Sequence, residues 1–117
     1  MQHVFHEPEE NSFNRVGIVG KVFPTAELGG RAGFVLVETK SGHETAIIEH
    51  ECDFVYYVLK GSGSFIVNDI EETCSEGDLV AIPKGTKFTY KGKLKMLLAT
   101  TPAWFAEQEE TLLLSEQ

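Results

Sequence analysis

A chain of 117 residues is long enough for one compact core and too short for two. Its apolar fraction of 42% is that of a globular protein, and 18 acidic against 10 basic residues give a formal charge of −8, which opposes nucleic-acid phosphate and anionic lipid as partners. No apolar run approaches the roughly 18–20 residues of a membrane-spanning helix, and the N-terminal MQHVFHEPEE lacks the basic–apolar order of an export signal, so a cytoplasmic protein with Cys52 and Cys74 reduced is expected.

Residues 1–12 are polar and Glu-rich and read as an arm. A strand-like run extends from Phe13 through Val16-Gly17-Ile18-Val19 to Phe23, where Pro24 closes it. Gly29-Gly30 marks a loop, Phe34-Val35-Leu36-Val37 a strand, and Lys40-Ser41-Gly42 its end. Thr45-Ala46-Ile47-Ile48 follows, then the polar stretch His50-Glu51-Cys52-Asp53. Tyr56-Tyr57-Val58-Leu59 reads as a strand, Gly61-Ser62-Gly63 as a turn, and Phe65-Ile66-Val67 as the return strand before Asn68-Asp69. Glu76-Gly77-Asp78 and Pro83-Lys84-Gly85 bracket the short strand Leu79–Ile82. Thr86, Phe88 and Tyr90 alternate onto one face of the next strand. Lys91-Gly92-Lys93 reads as a turn, Leu94–Thr100 as the last strand, and Ala103–Leu114 as a short helical or irregular tail with Trp104, Phe105, Leu112 and Leu113 as apolar contacts. Eight or nine short strands with turn signals every 8–12 residues predict an all-β jelly-roll sandwich or barrel.

The central stretch, Val55 to Gly85, resembles the cupin superfamily, and the resemblance covers roughly residues 42–100. Gly77-Asp78, Pro83 and Gly85 sit at the spacing of that family's second motif, and YYVLKGSG matches the end of its first. The resemblance implies a double-stranded β-helix in a single domain over 1–117, with its core at about 34–100 and a tail over 102–117. The Ile82-Pro83-Lys84-Gly85 turn and Thr101-Pro102-Ala103-Trp104 are similar to the cupins of ethanolamine utilisation, which also lack the histidine ligands.

The family's metal ligands do not carry over. The Glu position falls on Phe54 and the second-motif His on Phe88, while the His pair falls on Ile48 and His50 or on Ile47 and Glu49. A transition metal wants three or more converging N/O donors, so neither a metal nor another cofactor is expected. His43 and Glu44 do not replace them: along an unbroken strand His43 and His50 point to opposite faces, and Glu44 lies on the order of 20 Å from His50.

If the two motifs are registered as in the family, Phe54, Tyr56 and Val58 share an interior with Thr86, Phe88 and Tyr90. A small-molecule site is then expected at His50, Tyr56, Thr86 and Tyr90, walled by Phe54 and Phe88. The competing expectation is that these rings fill the core. His50 or a tyrosine is the candidate acid/base; Cys52, a possible nucleophile, is better read as a half-buried residue of a polar loop. Gly61-Ser62-Gly63 offers no helix N-terminus to a phosphate. Three functions remain open at this stage: a metal-independent binding or accessory protein, a metal-free sugar isomerase or epimerase, and a scaffold with a closed barrel. Val55, Tyr57 and Leu59, apolar on the opposite face, predict a homodimer.

Overall fold

Aromatic and β-branched runs become strands wherever turn residues let each run pair with a neighbour. The computed structural model describes residues 3–103 and 109–113, and these form nine strands: β1 (Phe13–Arg15), β2 (Ile18–Val22), β3 (Gly33–Thr39), β4 (Thr45–Glu49), β5 (Asp53–Val67), β6 (Ile70–Ser75), β7 (Leu79–Ile82), β8 (Lys87–Thr101) and β9 (Glu109–Leu113). Every pairing is antiparallel, in the order β1-β2-β3-β8-β4-β9, with β5 joined to β6, β7 and β8. The only helical element among the described residues is a 3-10 turn over Ala26–Leu28.

Two long strands, β5 and β8, organise the barrel. They pair from Asp53↔Thr101 to Val67↔Phe88. Each changes its second partner along its length: β5 pairs β7 through Phe54–Tyr57 and β6 through Ser62–Val67, while β8 pairs β3 and then β4. Gly61-Ser62-Gly63 and Lys91-Gly92-Lys93 are therefore not hairpin turns, as their composition predicts, but the place where the two strands cross closely. Gly63 opposes Gly92; a Cβ on Gly63 would collide with the Lys91 carbonyl, and Gly92 holds φ 111°, a value that favours glycine.

A register shift between Val58 and Lys60 inserts Leu59 as an extra residue in β5. Such a bulge reverses the alternation of side chains beyond it. Phe54, Tyr56 and Val58 thus face inward before the bulge and Phe65, opposite Tyr90, faces inward after it.

The run from Phe13 to Phe23 is two strands rather than one, folded back at Val16-Gly17 with Arg15 opposite Ile18. The tail also departs from the helical expectation: Glu109–Leu113 is a strand, pairing Thr45↔Leu113 through Glu49↔Glu109. That pairing satisfies the edge of β4 that β8 leaves open, a demand of buried backbone groups that outweighs local helix preference. Trp104, Phe105 and Leu114 lie outside the described residues. Cys52 and Cys74 are both free and buried, and no helix among the described residues is long and apolar enough to cross a membrane.

Candidate functional site

Five inward rings from β5 and β8 meet at the barrel centre. Tyr56 lies 5.1 Å from Phe65 and 5.5 Å from Tyr90 between ring centroids, and Phe65 lies 5.0 Å from Tyr90. Phe54 and Phe88 touch edge-to-face at 5.9 Å, and Phe88 stacks on Phe65 at 6.5 Å. The centre expected to be a pocket between Phe54 and Phe88 is filled by those two rings. Each buried ring contributes about 1.5–3 kcal/mol through its apolar area.

The remaining sequence-predicted site residues divide. Phe54, Tyr56 and Tyr90 border a cavity on the side of this cluster that faces β1; Phe88 does not border it. Thr86 is half-buried one residue before β8 and is not in its lining either. His50 is exposed, in the bend after β4, away from the cavity. The buried Glu49 carboxylate causes that placement: its Oε1 accepts the N–H groups of Glu51 at 2.8 Å and Cys52 at 3.2 Å. The tight turn so formed turns His50 and Glu51 to solvent while Cys52 goes inward. The Cys52 thiol donates to the Pro102 carbonyl at 3.2 Å. Burial, with Glu49 next in effect, pushes its pKa up to about 11, so it is a packed thiol and not a nucleophile.

The titratable group at the cavity is His43, which is 4% exposed. It precedes β4 in the connecting loop instead of lying within the strand, so the alternation argument that separated it from the interior does not apply. Its backbone is fixed from both sides: His43 N–H donates to the Tyr90 carbonyl at 2.9 Å, and Glu44 N–H to the Val16 carbonyl at 2.7 Å. The Thr39 hydroxyl lies 2.9 Å from the Gly17 carbonyl and accepts the Gly42 N–H at 2.8 Å. The Thr89 hydroxyl closes the loop against the carbonyls of His43 and Thr45.

The imidazole tautomer follows from its partners. Nδ1 is 2.8 Å from the Thr45 carbonyl and 3.3 Å from the Thr45 N–H; the much shorter contact is to a group that only accepts, so Nδ1 carries the proton and Nε2 the lone pair. Burial is the main reason that the His43 pKa falls to about 4; the Thr45 backbone bond opposes the shift and the Arg15 charge adds to it. The ring is neutral at physiological pH, edge-on to Tyr90 with centroids 5.6 Å apart.

Around His43, Tyr56 and Tyr90 the cavity walls are apolar, with Val35, Val37, Ile47 and Leu98 among them, and Phe13 and Arg15 form the rim. The Phe13 ring lies over Gly20, in the space a side chain there would need, and the Arg15 guanidinium sits 5.7 Å from that ring's centroid. Free volume inside is about 30 Å³, room for roughly one or two waters. Counting the open mouth, the space is about 430 Å³.

A metal of the kind the fold family holds does not fit. Phe54 and Phe88 stand at two ligand positions and are packed against each other, and among the described residues no three His, Cys, Asp or Glu side chains could hold an ion. His43 is the functional candidate that pattern reading passed over. The usable signal was its place in Ser41-Gly42-His43, where a glycine ends a strand and allows the next residue to turn inward.

No family model matches the sequence, and no curated protein matches it. Solved structures do. Pac13 of Streptomyces, described as a nucleoside dehydratase, superposes with a TM-score of 0.87 over 97% of this chain and 92% of its own at 26% identity. It has also been determined with uridine as one His-to-Gln and two Tyr-to-Phe variants. EutQ of Clostridium difficile matches at 29% identity over 78% of this chain and 66% of its own, with a TM-score of 0.64, in keeping with the turn at Ile82–Gly85. Oxalate decarboxylase of Bacillus subtilis shares the fold alone, at 18% identity and a TM-score of 0.74 over 96% of this chain and 32% of its own. The second-motif spacing, the barrel built on β5 and β8 and these likenesses agree: the chain has the cupin fold and is similar in sequence and structure to cupin superfamily members.

Proposed function

We propose that the protein is a metal-independent acid/base enzyme that takes a hydroxylated small molecule of the nucleoside or sugar class and eliminates water from it. The observation that carries this reading is the tautomer of His43: a neutral imidazole whose lone pair, on Nε2, is left available beside two tyrosines in an apolar cavity. A base with a low pKa stays unprotonated across the physiological range, and burial among apolar walls strengthens its hydrogen bonds to a ligand. Elimination needs such a base for a carbon-bound proton and an acid for the departing hydroxide. Nε2 of His43 takes the first role and a tyrosine hydroxyl, from Tyr56 or Tyr90, the second. A neutral imidazole is a weak base for carbon, so the proton removed is one acidified by an adjacent carbonyl.

The likeness to Pac13 supports the assignment in one specific way. The His and two Tyr replaced in its uridine-bound variants are spaced 13 and 34 residues apart, as are His43, Tyr56 and Tyr90 (56 − 43 and 90 − 56). A nucleoside does not fit in about 30 Å³, so binding requires the Phe13 side chain at the rim to move off the mouth, while its strand stays anchored at the Val16-Gly17 turn. The test is a screen of nucleosides and carbonyl-bearing sugars for loss of one water by mass spectrometry, with His43→Gln and Tyr90→Phe as controls. Turnover that survives His43→Gln removes the reading.

A second reading is favoured by the ring contact between Phe54 and Phe88: a closed barrel acting as a scaffold. It predicts no response to uridine in any binding assay. On either reading we propose a homodimer through the outer sheet, where Tyr57 and Leu79 lie opposite each other, 43% and 64% exposed. Light scattering that finds only the 13 kDa monomer at micromolar concentration argues against it.

A further inference from the structure

The rim of the cavity carries a feature that acid/base chemistry does not use. Arg15 is exposed at its outer end yet borders the cavity, and among the described lining residues it alone is cationic at neutral pH. The strand that bears it is held over the mouth by a two-residue turn, Val16-Gly17, with φ of 49° and 84°. Both central residues at positive φ are the mark of a tight hairpin turn that normally takes Asn-Gly, and a β-branched residue there is a backbone outlier. Val16 is kept in that conformation by the Glu44 N–H bond to its carbonyl, while the Thr39 hydroxyl holds the Gly17 carbonyl. The same contacts fix the His43 loop, so the turn sets the distance between the cation on the rim and the base inside. Val16 itself forms part of the wall.

We propose that Arg15 makes this cavity selective for ligands that carry an anionic oxygen group, a carboxylate or a phosphate, on the end that remains at the rim while the hydroxylated part reaches His43, Tyr56 and Tyr90. A guanidinium offers paired donors in the geometry of such groups, and the apolar walls on its inner side strengthen its pull on an anion held at the rim. The need for a local cation is sharpened by the charge of −8 on the whole chain, which repels a free anion everywhere else. The field of Arg15 is already felt inside, since it lowers the pKa of His43. Within the nucleoside reading, on which this inference rests, the substrate class becomes a nucleoside or sugar that bears an anionic group at the rim end in addition to the carbonyl that acidifies the proton removed; the charged uridines below serve as binding probes of the rim.

Calorimetric titration with four compounds tests it: uridine, uridine 5′-monophosphate, uridine 5′-carboxylate and ribose 5-phosphate, against the wild type, Arg15→Gln and Arg15→Lys. We expect at least one charged uridine derivative to bind about tenfold or more tightly than uridine. That ratio falls to near one in Arg15→Gln and is partly kept in Arg15→Lys, and it shrinks when salt is raised. Which charged derivative is preferred separates phosphate from carboxylate. Uridine binding as tightly as both charged forms, or an unchanged preference in Arg15→Gln, overturns the role of Arg15 and leaves the nucleoside reading standing. Ribose 5-phosphate binding in an Arg15-dependent way, with no uridine compound bound, does the reverse. Binding of none of the four at millimolar concentration overturns both. Circular dichroism of both variants checks that the exposed substitution leaves the fold intact.

Discussion

The two sides of the aromatic cluster use the same strands for opposite ends. Toward Phe65 and Phe88 the barrel is closed by rings from β5 and β8 that stack and touch. Toward β1, the same Tyr56 and Tyr90 meet a buried histidine whose proton position is fixed by one carbonyl, under a rim made of an arginine and a phenylalanine. Ring packing gives the first region its stability and no chemistry. The second gives up packing, leaving about 30 Å³ unfilled, and keeps a neutral base in an apolar wall. A barrel of this fold can fill its centre with phenylalanine and still leave a buried histidine beside a cavity at one side.

Substitutions should separate the two regions. The largest effect expected is on the sealed side: Phe88→Ala should destabilise the fold by about 3–5 kcal/mol in urea unfolding, without moving the pKa of His43. His43→Gln should instead remove ligand response and turnover at a far smaller cost in stability. An equal loss of stability from both would erase the distinction.

The second effect is a pH dependence that belongs to the open side. The folded pKa of His43, about 4, lies below its ordinary 6.5. Between those values the unfolded chain binds a proton that the folded chain refuses, so stability is lost as pH falls from about 6.5 to about 4 and levels off below. The size is about 3 kcal/mol from that shift. Unfolding curves across this range should show the slope in the wild type and a shallower one in His43→Gln. The same depression predicts that turnover has no acid limb near pH 6.5.

A smaller difference concerns access. Phe13→Ala should uncover the mouth and raise the association rate of uridine severalfold, while Phe65→Ala should not; stopped-flow binding compares them. The smallest is chemical: Cys52, buried with its pKa raised to about 11, should react with thiol reagents only as fast as the native state opens.

The sealed region was legible in the sequence only in part: filling of the core by Phe54 and Phe88 stood as one expectation beside that of a pocket walled by them. Phe54 and Phe88 stand where the family's ligands would be, and the spacing of Gly77, Asp78, Pro83 and Gly85 fixed the strands that bring the two rings together. The open region was not. Strand alternation reaches His43 only if one strand runs from it to His50, whereas β4 starts at Thr45 and ends at Glu49, leaving both histidines outside it. Which of the two turned inward depended on hydrogen bonds that the His43 and Glu44 N–H groups donate to the carbonyls of Tyr90 and Val16, residues remote in sequence. Gly61 and Gly92 misled for a related reason: a glycine that permits a turn is, in sequence, the same as one that permits two strands to cross.

The most direct test of the account is nitrogen-detected NMR of the His43 imidazole, followed from about pH 3 to pH 8 with and without saturating uridine. The account predicts a neutral ring protonated on Nδ1 down to about pH 4, with an Nε2 resonance that shifts when uridine binds. A ring that titrates near 6.5, or an Nε2 resonance indifferent to uridine, contradicts it.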